Sequence, residues 1–131
     1  MIVADSSVWI DFFRGTQSAA TAALKLSLDT ATLVIPDLVL TEVLQGFRDD
    51  AAFRRASALF APLPIEPIVG QEAAREAAVI YRKLRRAGIT PRSTIDVLIA
   101  SHCIRHGHEL LHTDRDFDRM ADIIGLRTVR L

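Results

Sequence analysis

The sequence predicts an α/β protein in which a parallel sheet is covered by helices on both faces. Short, almost wholly apolar runs alternate along the chain with segments of helical periodicity. Capping side chains, glycines and prolines stand at the junctions between the two kinds of segment.

The first strand is Ile2 to Ala4, and Asp5-Ser6-Ser7 then offers side chains able to cap a helix. In that helix Val8, Trp9, Phe12 and Phe13 recur at i, i+1, i+4 and i+5, and Gly15 supplies the stop. Ala19 to Leu28 reads as a second helix. TLVIP is a strand closed by Pro36, after which Asp37 to Phe47 is helical, with Leu38, Val39, Val43, Leu44 and Phe47 as its apolar positions. Asp50 to Ala61 and Gln71 to Ala87 are two more helices, and LPIEPI between them is a minor strand whose prolines confine it to an edge. Gly88, Pro91 and Ser93 interrupt the chain before a helix from Thr94 to His106 that is apolar nearly all round and so must be buried. ELLHT is a strand, Phe117 to Ile124 a short helix and RTVRL a last strand, giving a sheet of about 4 to 5 strands.

At 131 residues, half of them hydrophobic, the chain makes one domain over 1–131 with a core that needs neither disulfides nor structural zinc. An 18-residue apolar run is lacking, and MIVADSS has neither the basic segment nor the apolar stretch of a signal peptide. A cytoplasmic protein is expected, without a membrane partner. Cys103, alone in an apolar helix, reads as a buried reduced thiol. The 16 basic and 16 acidic residues cancel, so any binding to nucleic acid must use a local patch. Fourteen of the basic residues are Arg, which suits bidentate phosphate contacts, although genomic base composition explains the bias equally well.

The acids carry the chemistry. HTDRDFDRM places Asp114, Asp116 and Asp118 at alternate positions, but an EF-hand starting at Asp114 would need Gly and Glu where Arg119 and Gly125 stand. Asp5 ends the first strand and Asp114 follows the ELLHT strand. If these strands are neighbours, the two acids meet outside the strand carboxyl ends, where α/β sheets bind ligands. Asp96 lies in the first turn of the buried helix, and Glu42 lies mid-helix without a basic neighbour at i±3 or i±4. Asp5 and Asp114 serve equally as N-caps, and Ser93 to Asp96 fits a capping box, whereas Glu42 has no capping role. Asp118 and Asp122 read as solvated helix surface. Two carboxylates ~4 Å apart repel by about 4 kcal/mol at an effective dielectric near 20. A divalent cation removes that conflict, and oxygen donors alone favour Mg²⁺ or Mn²⁺ over zinc. The chemistry this suits is phosphodiester hydrolysis.

VADSSVWIDFF, LTEVLQG, RSTIDVLIASHCIRHG and LLHTDRDFD resemble, in order and across nearly the whole chain, the four acidic blocks of the PIN-domain ribonucleases, especially the VapC-type toxins of toxin–antitoxin pairs. The resemblance implies a three-layer fold and a metal-dependent endoribonuclease. Asp5, Glu42, Asp96 and Asp114 would be its catalytic, metal-binding acids, Asp116 a further ligand, and Ser6, Ser93 and Thr113 supporting hydroxyls. It also implies RNA as substrate and a small VapB-like antitoxin as partner, within a homodimer or a toxin–antitoxin hetero-oligomer. Trp9, Phe12, Phe13, Leu40, Val43, Leu44 and Phe47 offer apolar material for the groove such a partner would occupy.

Other readings fit less well. A receiver domain needs an acid pair after the first strand and a late lysine, but Asp5 is followed by two serines and no Lys lies beyond Lys83; a haloacid-dehalogenase-like phosphatase would need Asp where Ser7 stands. His102, His106 and His108 raise a zinc site, yet HExxH is absent and each reads better as a core or surface histidine. Arg75, Arg82, Arg85 and Arg86 form a solvated helix face, while Arg92 and Arg115, beside the acidic blocks, are better placed for phosphate. A PIN fold surviving only as a non-catalytic scaffold, or a housekeeping nuclease without an antitoxin, is the alternative function.

Overall fold

The computed structural model describes residues 1–131. Its elements are β1 (Ile2–Ala4), α1 (Ser6–Phe13), α2 (Ala19–Asp29), β2 (Ile35–Pro36), α3 (Asp37–Leu44), α4 (Asp50–Phe60), β3 (Ile65–Glu66), α5 (Gln71–Arg86), α6 (Thr94–His106), β4 (Glu109–Leu111) and α7 (Arg115–Ile124). All pairings are parallel: β1 with β4, where Ala4 faces Leu111, and β2 with β3. An isolated bridge from Ile2 to Leu33 joins the two ladders, and another links Leu110 to Thr128. The spatial order is therefore β3, β2, β1, β4 and the C-terminal segment, with β3 at one edge as its flanking prolines require.

The α/β expectation holds, with shorter strands than the sequence implied. Of TLVIP only Ile35 and Pro36 form a ladder, because residues 32–34 turn aside to bond β1 through the Ile2 N–H on the Thr32 carbonyl (2.8 Å) and the Val34 N–H on the Ile2 carbonyl (3.0 Å). RTVRL is not a strand: it contributes two backbone bonds to Leu110, from the Leu110 N–H to the Arg127 carbonyl and from the Val129 N–H to the Leu110 carbonyl. The third helix ends at Leu44 instead of Phe47, and the last begins at Arg115, two residues before Phe117, because the Asp114 side chain caps it by accepting the Asp116 N–H.

Helices α2 and α6 both contact β4, and Val3, Ala4, Leu110 and Leu111 are all buried, so the sheet is covered on both faces. α6 runs as foreseen: Ser93 accepts the Ile95 N–H at its start, and Gly107 ends it with φ of 68°, a left-handed geometry suited to glycine. Cys103 is buried within it, and its thiol is pushed up to about 12 by desolvation. Arg75, Arg82, Arg85 and Arg86 of α5 are exposed, as expected of a solvated face. None of the helices is long and apolar enough to cross a membrane.

Trp9 anchors the α1 side of the core, with no exposed surface and ring centroids 4.7 Å from Phe60 and 6.1 Å from Phe13. Trp9→Ala should lower the unfolding free energy by about 3–5 kcal/mol, measured by denaturant titration.

Candidate functional site

The site begins with strand register. β1 and β4 are neighbours, and their pairing runs one step past the ladder because the Asp5 N–H donates to the Leu111 carbonyl (2.9 Å). Asp5 is thus held beside the end of β4, and the chain needs only three more residues to reach Asp114. β1 has β2 on one side and β4 on the other, so this is the point where the strand order reverses.

Asp5 stands at the N-cap of α1 and is buried, yet its side chain makes no capping bond; its Oδ2 accepts the Ser7 hydroxyl at 2.8 Å. Its carboxylate faces the other acids. Asp96, half-buried in the first turn of α6, has its pKa raised to about 6 by burial and then by the charges of Asp5, Glu42 and Asp114, against a smaller pull from Arg92. Glu42 is also pushed above its ordinary value, by burial first and by Asp5 second, while the neighbouring Ser6 hydroxyl pulls it partly back. Its Oε1 is buried without a hydrogen-bond partner. Asp5, Glu42, Asp96 and Asp114, drawn from four separate segments, therefore lie close enough to oppose one another's ionisation.

Asp114 and Asp116 are held differently. Arg92, from the loop before α6, donates through Nη2 to Asp114 Oδ2 (2.5 Å) and through Nε to Asp116 Oδ2 (2.7 Å). The Arg92 side chain nevertheless remains 70% exposed. Asp114 Oδ1 accepts the Asp116 N–H (2.9 Å), so Asp114 is an N-cap and a member of the acidic group at once. Arg115 is exposed and Asp118 is largely solvated, its Oδ1 3.5 Å from His112 Nε2.

Of the three supporting hydroxyls expected, Ser6 lies beside Glu42, Ser93 caps α6 through the Ile95 N–H, and Thr113 is exposed on the turn. Two positioning residues escaped the sequence reading. Ser7 orients Asp5, and the buried His112 accepts the Asp114 N–H at Nδ1 (3.1 Å) while its ring lies 5.1 Å from Phe117. Nothing in the local pattern marks His112, since its role depends on how the chain turns after β4. The remaining three histidines gather elsewhere, around Glu66 of β3. His102 and His108 are buried and each bonds Glu66 through Nε2, but His108 Nδ1 is buried without a partner, so the expectation of satisfied core histidines is not met there; His106 is exposed.

Comparison with known proteins identifies the fold and the family. Residues 2–123 match the PIN domain family. The chain is 39% identical over 129 residues to VapC ribonuclease Mb1587 of Mycobacterium bovis and to Ribonuclease VapC11 of Mycobacterium tuberculosis, covering 97% of this chain and 96% of each relative. Among solved structures, VapBC2 from Rickettsia felis bound to a promoter DNA fragment superposes with a TM-score of 0.78 at 19% identity, covering 98% of both chains. DNA-bound VapBC from Salmonella typhimurium gives 0.75 at 22% identity, covering 98% of this chain and 96% of that one. At these identities the structures speak for the fold alone, but with the family match over residues 2–123 and near-complete alignment to the two ribonucleases, the chain belongs to the PIN-domain family.

Proposed function

We propose that this protein is a divalent-metal-dependent endoribonuclease, acting in the cytoplasm as the toxin of a toxin–antitoxin pair. The observation that carries the reading is the convergence of Asp5, Glu42, Asp96 and Asp114 at the strand switch point, with Asp96 raised to about 6 and Glu42 Oε1 unpartnered. Such a group is strained as it stands. The donor set is oxygen throughout, which fits Mg²⁺ or Mn²⁺, and Asp5, Glu42, Asp96 and Asp114 would hold the ion with Asp116 as an additional ligand. When bound, the ion supplies an activated water and stabilises the leaving oxygen of the phosphodiester.

The protein's own groups supply position and charge. Ser7 fixes the Asp5 carboxylate, and His112 holds the turn that presents Asp114. Arg92 neutralises Asp114 and Asp116 in the free protein, and its exposure lets it exchange those carboxylates for a substrate phosphate, a contact that suits a planar guanidinium.

The relatives' names and the VapBC structures support RNA as substrate and a VapB-like antitoxin as partner, in a hetero-oligomer or around a toxin homodimer. Trp9 is core, but Ile10, Phe13 and Phe47, with the buried Val43 at the base, line a cavity of about 280 Å³ between α1, α3 and the start of α4, a receptor for apolar anchors of a partner helix.

Three outcomes are expected. RNA cleavage by the purified chain is lost in EDTA and restored by Mg²⁺ or Mn²⁺, and Asp5→Ala or Asp96→Ala abolishes it while circular dichroism stays unchanged; a variant that keeps full activity overturns the assignment. Stability without metal follows Asp96. A carboxyl whose folded pKa lies above its unfolded value destabilises the fold when ionised, so its penalty is absent below pH 3.8 and complete above about 6. Relative to Asp96→Asn, the wild type should lose about 1 kcal/mol as pH rises through that window, a figure discounted for solvent screening at a half-buried site, and melts in EDTA measure it. Finally, co-expression with the adjacent short gene should yield a complex without nuclease activity, relieved when the partner's basic residue nearest the acids is replaced. A housekeeping nuclease would show cleavage and no such partner.

A further inference from the structure

At the other end of α6 from Asp96, three side chains from three elements meet. Glu66 comes from the edge strand β3, His102 from the penultimate turn of α6, and His108 from the residue just before β4. His102 Nε2 lies 3.2 Å and His108 Nε2 3.1 Å from the same carboxylate oxygen, Glu66 Oε1. All three ligand atoms fall within 4.8 Å of one another. Around a tetrahedral zinc with bonds of ~2.0–2.1 Å, neighbouring donor atoms stand about 3.3 Å apart. The two nitrogen-to-oxygen separations match that spacing, and the two nitrogens lie within 4.8 Å of each other.

Three further features suit a metal. The imidazoles are nearly enclosed, with side-chain exposures of 6% for His102 and 9% for His108, whereas Glu66 at 31% leaves one side open. An adjoining cavity of about 220 Å³ is lined by His102, His106, Ser101, Arg105, Glu72 and Glu76, giving an ion a polar path from solvent. The exposed His106 ring stands at 4.5 Å from His102 and 5.7 Å from His108, centroid to centroid, within reach of a fourth position. Two nitrogens and a carboxylate oxygen favour zinc and its transition-metal neighbours over magnesium. This donor set differs from the all-oxygen group at the switch point.

We propose that Glu66, His102 and His108 form a binding site for a zinc-class divalent cation, separate from the acidic cluster, that staples the two-residue strand β3 to α6 and β4. The same distances also serve two N–H···O hydrogen bonds to one oxygen, and experiment separates the two arrangements. Untagged protein carrying Asp5→Asn and Asp96→Asn, which disables the acidic cluster as a competing site, is dialysed against Zn²⁺ and assayed for bound metal and for thermal stability. One tightly held zinc per chain is expected, with a rise in Tm on zinc addition. Co²⁺ in its place should give the intense visible absorption of tetrahedral coordination. Glu66→Gln on the same background, a change at a partly exposed position that keeps side-chain shape, should weaken zinc binding by about tenfold or more and remove the Tm rise. If the parent retains no zinc, or Glu66→Gln binds it equally well, the side chains are only a hydrogen-bonded trio and the proposal falls.

Discussion

The backbone hydrogen bond from the Asp5 N–H to the Leu111 carbonyl is the constraint on which the site depends. It extends the β1–β4 register by one residue and so sets where both strands release the chain. A slip of one residue would exchange the faces of Val3 and Ala4 and of Leu110 and Leu111, and all four are buried, so the register is defined by packing on both sides. From that junction α1 and α7 each start within a few residues, at Ser6 and Arg115, and α6 crosses the same sheet with its own start nearby. The four central acids are brought together by this framework, with no hydrogen bonds among themselves to hold them.

What opposes this arrangement is like charge, and the fold offsets it in part. Asp5 and Asp114 occupy helix N-caps, and Asp96 and Asp116 lie in first turns, where the positive end of the helix dipole favours a carboxylate. Arg92 adds a full positive charge on Asp114 and Asp116. Glu42 has neither advantage: because α3 stops at Leu44, it lies in the last turn and not mid-helix as the sequence implied, at the end where the helix dipole disfavours a carboxylate, and it is the acid with an orphaned oxygen. The cluster is thus stabilised at its rim and left unbalanced at its centre, where Asp5, Glu42 and Asp96 face one another. α6 spans both chemistries, with a carboxylate in its first turn and Arg105 and His106 in its last, acid and base each at the end of the helix that the dipole favours.

Local signals made much of this legible. The helices were readable because their apolar positions repeat with the helical period and because Ser93 and Asp114 offer side chains that accept backbone N–H groups at helix starts. The acids were readable because their blocks keep a recognisable order, and Glu42 stood out as an acid with no local employment. Strand extents were less so, since a parallel ladder is defined by a partner distant in the chain: residues 32–34 and 127–129 read locally as strands but form only bridges.

By itself the sequence determined the α/β alternation and the resemblance to the PIN-domain family, because each follows from short-range periodicity, capping or a motif. Only the tertiary structure decided that Asp5 and Asp114 are neighbours, that Arg92 spans Asp114 and Asp116, and that His112 holds the turn. It alone brought Glu66, between two prolines in an edge strand, to His102 and His108, which follow it by 36 and 42 residues. Contacts of that kind are set by which strands pair and which helix covers them, and no local pattern of residues records the choice.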